Sequence, residues 1–417
     1  MIRMLLALSL TACTDGPGGS KDSSGDAEVT WYRDVGPLVN TTCAACHGPK
    51  GVSGIDLTDP DNAVRMADLM ADQVTSGQMP PAAADPGCRA YANDDALTLN
   101  DDERALIARW AELGAPLGDP ADAPEVTDEI QRLGDPDITL TMPFPYTPEL
   151  DADGNEYWCV QLENPTTDPV WITGLDVDLG NSSVVHHMLL IKDTGGDAGE
   201  AYGIDNPEDG FACRDPMMED DWSILHAWAP GMGATFLPDG TGMELAPGDQ
   251  IILQMHYYWQ GDAAPDPDQS SYLLSVTDQA PDDEVEVYPI GPTDFTIPAD
   301  DADYQVYAEL PWTYALDITI YGVFPHEHLL GKDYRAWIVG PDGTETCLAS
   351  GDWDFHHQAF YMYDQPALLT QGDTLAGYCD YDNSADNPNQ YNSPPAAVSY
   401  GEGTNQEMCY FLFYLSY

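Results

Sequence analysis

From Asp137 to the C-terminus, short apolar runs alternate with Gly, Pro, Asp and Asn turns. The runs 138–142, 170–175, 184–191, 250–258, 318–323, 334–339 and 409–417 all have strand length and are rich in β-branched or aromatic residues. No long amphipathic helix interrupts them. The pattern predicts antiparallel β-sandwiches, and this span is long enough for two. Upstream the period changes. Met66 and Met70 lie at helical spacing among Ala and Leu. Asn100-Asp-Asp-Glu103 has the form of a capping box; Leu106, Trp110 and Leu113 then make one apolar helix face, and Gly114 ends it. Residues 29–118 therefore read as a small all-α unit. Residues 119–136, rich in Pro, Asp and Ala, read as a linker. The fold class is mainly β, with the helical unit in front.

Charge removes several functions. The 417 residues hold 72 Asp+Glu against 13 Lys+Arg, a formal net charge of −59. Nucleic-acid binding needs Lys and Arg to release counterions, so it is excluded, as is attraction to an anionic membrane surface. Acidity here does not mean disorder, because 43% of the chain is hydrophobic and can build real cores. Self-repulsion of such charge is relieved by salt.

The first twelve residues carry one Arg, a short apolar run and then small residues, which reads as a secretory signal. Leu10-Thr11-Ala12-Cys13 resembles a bacterial lipobox, with Cys13 as the lipidated residue. Residues 13–28 then form a flexible Gly/Ser/Asp tether. Thr14, rather than Asp, after the Cys points to the outer membrane. The expected location is the cell envelope, lipid-anchored.

Nine Cys are present. Cys43-Ala-Ala-Cys46-His47 is a C-x-x-C-H sequence: two thiols to attach haem vinyl groups and an adjacent axial His. A zinc site would need two further ligands at similar spacing, and none follow. Met79, in Gly77-Gln-Met-Pro-Pro81, offers a thioether for the opposite haem face, a His/Met pair suited to electron transfer. Met66 and Met70 compete for that role, but their spacing fits helix packing. The order of helix, C-x-x-C-H, Met loop and terminal helix resembles a small class I cytochrome c. With Cys13, Cys43 and Cys46 set aside, six Cys remain, an even number that fits disulfides in an exported chain.

Three histidine groups stand in strand-like contexts: His186-His187, His256, and His326-Glu-His328. Alternate strand residues share a face, so His326 and His328 can ligate one ion together. His186 and His187 point oppositely in a regular strand, so joint ligation needs a bulge or a strand end. Grouped imidazoles suit Cu, Zn or Fe.

Val185-His-His-Met-Leu-Leu190 resembles the His-His-Met motif of the copper type II, ascorbate-dependent monooxygenases. Further segments follow in family order: 224–229, Leu253-Gln-Met-His-Tyr-Tyr258, His326-Glu-His-Leu-Leu-Gly331, Gln358-Ala-Phe-Tyr361, Gly372-Asp-Thr-Leu375, Tyr381-Asp-Asn-Ser384 and Glu407-Met-Cys409. The resemblance runs from about residue 137 to the end and implies two jelly-roll-like sandwiches, 137–288 and 289–417. It implies two copper ions, one on His186, His187 and His256 for electron transfer, the other on His326, His328 and Met408 for dioxygen. It also implies a Cys379–Cys409 disulfide. By the residues alone, Met408 would be core packing; its place beside Cys409 in the motif makes it a ligand.

Departures shape the expected substrate. Peptide-amidating members carry an Arg where this chain has Phe324, and Asn and Tyr where it has Tyr410 and Leu412. A buried carboxylate needs a cation, so peptidylglycine does not fit, whereas an apolar or aromatic substrate does. Cys159 lacks its usual family partner, and a Cys159–Cys213 bridge is expected in its place; Cys88 and Cys347 stay open. His226, His356 and His357 have no family ligand role. Asp151-Ala-Asp-Gly-Asn155 reads as a β-turn rather than a calcium loop. The expected function is a monooxygenase hydroxylating a C–H bond of an organic substrate with O₂. Ascorbate or a redox protein would supply electrons through the fused haem. The alternative is a copper- and haem-binding electron-transfer protein without hydroxylase activity.

Overall fold

The structure is a computed structural model describing residues 29–417 apart from 50, 52, 82, 93–97, 125–131, 153, 197, 199–201, 214–221, 260, 262 and 356. The signal, Cys13, the tether, Asp153 and His356 lie outside the described residues.

The first unit is helical. Consecutive turns cover 31–47, and two helices follow, Pro60–Thr75 and Asp101–Glu112. Asp59 caps the first of these, and Asn100 with Glu103 forms the expected capping box on the second. The buried face of the second helix is Ile107 and Trp110, not the expected Leu106–Trp110–Leu113 stripe; Leu113 is exposed. The cause is the helix end. Gly114, at φ +82°, turns the chain back so that Pro116 accepts from the Trp31 amide and the Trp110 indole. Trp31, Val35, Val39, Ala67, Met70, Ile107 and Trp110 form this unit's own core. Met70 is buried there, as its spacing predicts.

Residues 83–92 leave that core. They cross to the C-terminal sheets, where Cys88 is disulfide-bonded to Cys347 and Tyr91 bridges Tyr363. Ala84 and Tyr91 pack into the β-sheet core. The strap is invisible to periodicity because it has no secondary structure of its own.

The remainder is β. One pair of antiparallel sheets spans 138–284. The first orders Ile138–Thr141, Ser271–Thr277, Val170–Asp178 and Thr241–Leu245, closed by the short parallel Asp283–Glu284. The second orders Phe211–Ala212, Asn155–Leu162, Gln250–Tyr258, Val185–Asp193 and Trp222–Trp228. The two face each other: Tyr272 on the first donates its hydroxyl to the Met188 carbonyl on the second. A second pair spans 286–417. Glu286–Ile290, Tyr410–Ser416, Ile318–His326 and Tyr361–Leu369 form one sheet. Tyr304–Pro311, Thr374–Tyr381, Gly331–Val339 and Glu345–Asp352 form the other. Gly377 of one sheet lies so close to Phe411 of the other that a side-chain carbon there would sit 2.4 Å from the ring. Every strand expected from the sequence is present, with ends shifted by up to three residues. Both sandwiches share one apolar core; across it the Tyr414 hydroxyl reaches the Leu225 carbonyl.

The disulfides are Cys88–Cys347, Cys159–Cys213 and Cys379–Cys409. The second and third match expectation, and the first settles the pair left open. Cys43 and Cys46 are the free cysteines among the described residues.

Candidate metal centre

The first histidine group is built by a bulge. Strands Val185–Asp193 and Gln250–Tyr258 pair antiparallel, with Val185 opposite Tyr257 and His187 opposite His256, so His186 is the extra residue. This is the irregularity that adjacent histidines need in order to face one ion. Ligand nitrogens of His186, His187 and His256 all lie within 4.8 Å of one another. His256 Nδ1 is 2.7 Å from His187 Nε2, and its other nitrogen, Nε2, bonds the side-chain oxygen Asn155 Oδ1 at 2.9 Å. Asn155 therefore holds the proton on Nε2 and leaves the Nδ1 lone pair turned toward the other histidines. Tyr157, opposite His256 in register, stacks on its ring at 4.1 Å.

The second group sits where strand Ile318–His326 ends. His326 and His328 rings are 5.0 Å apart. His326 Nδ1 bonds Gln358 Oε1 at 2.8 Å, and His328 Nδ1 bonds the Gln406 carbonyl at 3.1 Å. Both rings thus present Nε2 as the free ligand atom. Glu407 accepts from the His328 and Leu330 amides at 2.9 and 2.7 Å, which fastens the 406–408 segment beside the histidines. Met408 is buried in that segment, and its carbonyl accepts from the Tyr381 hydroxyl.

Burial sets the protonation. It holds His187 and His256 well below the ordinary imidazole range, helped by the neighbouring histidines. It pushes His326 down to about 4 and His328 down to about 3. All are neutral near pH 7, the form that binds a metal ion. Glu327, between two of these histidines, is fully buried. Burial first, and Glu407 second, hold its carboxyl well above the usual range. The two groups adjoin across the sandwich interface: His187 and His326 ring centroids are 6.0 Å apart.

His226, which has no family ligand role, is a structural histidine, bonded to the Tyr272 hydroxyl at 3.2 Å and Thr235 Oγ1 at 3.0 Å inside the first sandwich. Phe324, Tyr410 and Leu412 are buried, on the strand face that they share with Tyr414 and that packs toward the first sandwich. A cleft of about 1160 Å³ opens elsewhere, lined by Leu150, Tyr258, Trp259, Leu329, Tyr391 and Gln406 among others; Tyr258 follows His256 by two residues, and Leu329 adjoins His328. Asp151 is its single charged residue among the described lining.

In the helical unit, Cys43, Cys46 and His47 share one turn. Burial pushes the Cys43 thiol up to about 12 and the Cys46 thiol up to about 11. Cys43 and Cys46 are two neighbouring unpaired thiols in a chain whose other described cysteines are all bridged. Met79 is exposed on the loop after Pro60–Thr75, its carbonyl accepting from Arg104 at 3.2 Å.

The supporting residues Asn155, Gln358 and Phe355 were not picked out as functional by sequence reasoning. Gln358 lies in the Gln358-Ala-Phe-Tyr361 segment that resembles the family; Asn155 ends the Asp151–Asn155 segment that reads as a turn.

Comparison with known proteins finds a peptidyl-glycine alpha-amidating monooxygenase A from Xenopus laevis, 23% identical over 309 residues, covering 69% of this chain and 29% of that protein. A peptidylglycine alpha-amidating monooxygenase from Rattus norvegicus is 24% identical over 292 residues, covering 67% of this chain and 27% of that protein. The chain thus spans under a third of the length of these relatives. Among solved structures, one of PNGF-II covers 67% of this chain and 65% of that one at 9% identity, with a TM-score of 0.28, too low to carry an argument. Residues 286–417, the sandwich that holds His326, His328 and Met408, match the C-terminal domain of the copper type II ascorbate-dependent monooxygenases.

Proposed function

We propose that this chain is an exported, lipid-anchored copper monooxygenase with a fused haem c. It would insert one oxygen atom from O₂ into a C–H bond of an organic substrate. The observation that carries the proposal is the meeting of two largely buried imidazole groups across one interface, with His256, His326 and His328 each oriented by a hydrogen bond at the nitrogen turned away from its group. The donor set fits copper: His186, His187 and His256 would hold one ion in either oxidation state, and His326, His328 and the soft thioether of Met408 would hold the other. Bound there, the metal pair supplies one-electron steps and dioxygen activation. The chain's residues keep the ligand nitrogens deprotonated, exclude water through burial, and position substrate.

The cleft favours an enzyme over the electron-transfer alternative, because it borders His328 through Leu329 and Gln406. Its lining sets the substrate class. With aromatic and aliphatic side chains interleaved with Asn392, Ser399, Thr404 and Gln406, and no cation among the described lining, it suits a neutral or cationic molecule with both polar and apolar surface. A terminal carboxylate would be left unpaired. Cys43, Cys46 and His47 would carry haem, with Met79 as the second axial ligand. Haem would supply electrons one at a time, alongside or in place of ascorbate. A protein donor would dock through a basic face, given the charge of −59.

Metal analysis combined with a product screen under ¹⁸O₂ tests the reading. Two coppers per chain and one labelled oxygen per product are expected. Met408→Ala should abolish product while keeping the fold and the haem spectrum. O₂-dependent product formation that survives Met408→Ala would overturn the assignment of the second site.

A further inference from the structure

The 353–358 loop touches both histidine groups from one side. Phe355 stacks on His186 with ring centroids 4.6 Å apart. Gln358 orients His326 through its 2.8 Å hydrogen bond, and the Trp353 indole donates to the His328 carbonyl at 2.9 Å. The loop is braced from within: Gln358 Nε2 donates to the Phe355 carbonyl at 3.1 Å, and the His357 amide to the Asp354 carbonyl at 3.0 Å.

The buried His357 of the same loop closes on Gly231, as does the helical unit. A side-chain carbon on Gly231 would lie 3.1 Å from His357 Cδ2 and 3.3 Å from Cys46 Sγ. Gly231 has φ +96°, so the close approach and the backbone both call for glycine. Cys46, a haem-attachment position, therefore meets at one glycine the covalent neighbour of Gln358. The Cys88–Cys347 disulfide ties the helical unit to the sheet strand just before this loop, so the docked arrangement is an intramolecular one.

We infer that the Cys46–Gly231–His357 contact is the electron entry to the copper centre, with Phe355, stacked on His186, and Gln358, bonded to His326, as its conduit and His357 as a positioning residue. This rests on the haem and copper reading above. The step moves one electron: ferrous haem on Cys43 and Cys46 becomes ferric, and Cu(II) on His186, His187 and His256 becomes Cu(I). No bond forms or breaks and no proton moves.

Flash photoreduction of the haem in the full, Cu(II)-loaded chain under argon tests this. The readouts are decay of the ferrous haem band and loss of the Cu(II) spin-resonance signal. Wild-type haem should reoxidise with copper present and stay ferrous in copper-free protein. His357→Ala and Gly231→Ala, each checked for haem and copper content, should slow the transfer by about tenfold or more, the low end of what losing a residue that supports metal ligands costs. Wild-type rates in both variants would overturn the route and leave the haem–copper relay standing. Absence of copper-dependent reoxidation in the wild type would overturn the relay, and the route with it. A second measurement needs no variant: ferric haem docked at Gly231 should speed the spin relaxation of Cu(II) on the histidines. No enhancement in the wild type would place the haem elsewhere and refute the contact.

Discussion

Replacing Asn155 with Ala removes the acceptor that holds the proton on His256 Nε2. Both partners are buried, 5% and 1% exposed, so water cannot replace the lost bond freely. The cost falls unequally on two states. Without metal, the His256 ring can move its proton to Nδ1 and donate to His187 Nε2, only 2.7 Å away, so little is lost. With copper, Nδ1 must be a bare lone pair. The proton is then forced onto Nε2, facing the void left by the amide. A buried donor without a partner costs about 1–3 kcal/mol. At about 1.4 kcal/mol per factor of ten, copper binding at His186, His187 and His256 should weaken by roughly 5- to 150-fold. The second site should keep its affinity, because Gln358 and the Gln406 carbonyl still orient His326 and His328. Competition with a graded series of copper chelators, read by the Cu(II) spin-resonance signal of each site, measures both. Asn155→Asp retains an acceptor and should restore binding. An Asn155→Ala protein whose first site binds copper within about twofold of wild type would refute the tautomer argument.

Cys88→Ser with Cys347→Ser opens a link across 259 residues; it should lower stability by about 2–4 kcal/mol and expose the 83–92 strap to protease, while the Tyr91–Tyr363 pairing preserves the fold. An unaltered unfolding midpoint would remove the strap's structural role. Burial pushes His226 down to about 3, against about 6.5 in an unfolded chain. A depressed value gives stability that is complete above the unfolded pKa and declines as pH falls toward 3, by up to about 1.4 kcal/mol per pH unit. The stability gap between wild type and His226→Phe should therefore shrink from about pH 7 to about pH 5, with copper content unchanged; a constant gap contradicts it. Added NaCl should raise the melting temperature, since the −59 charge repels itself, and a flat response would show that the acidic groups are too far apart to matter.

What the sequence determined alone was local. Strand positions were legible because side-chain alternation has a period of two, and hydrophobic runs carry it directly. The Asn100 cap and the Cys43–His47 turn were legible because their partners lie within a few residues. Histidine spacing showed that His186 and His187 needed an irregular strand, and the bulge between Val185 and His187 supplies it. Tertiary structure decided what depends on register and on pairing between distant segments. Asn155 reaches His256 because Asn155–Leu162 pairs with Gln250–Tyr258 in one register; a slip of one residue would turn its side chain away. Phe324, Tyr410 and Leu412 are buried because the first sandwich packs against the strand face they share with Tyr414. Cys88 found Cys347, and Cys46 came to rest beside His357, through contacts separated by hundreds of residues. Such contacts leave no periodic trace in the chain, since they are fixed by how whole sheets pack and not by any local preference.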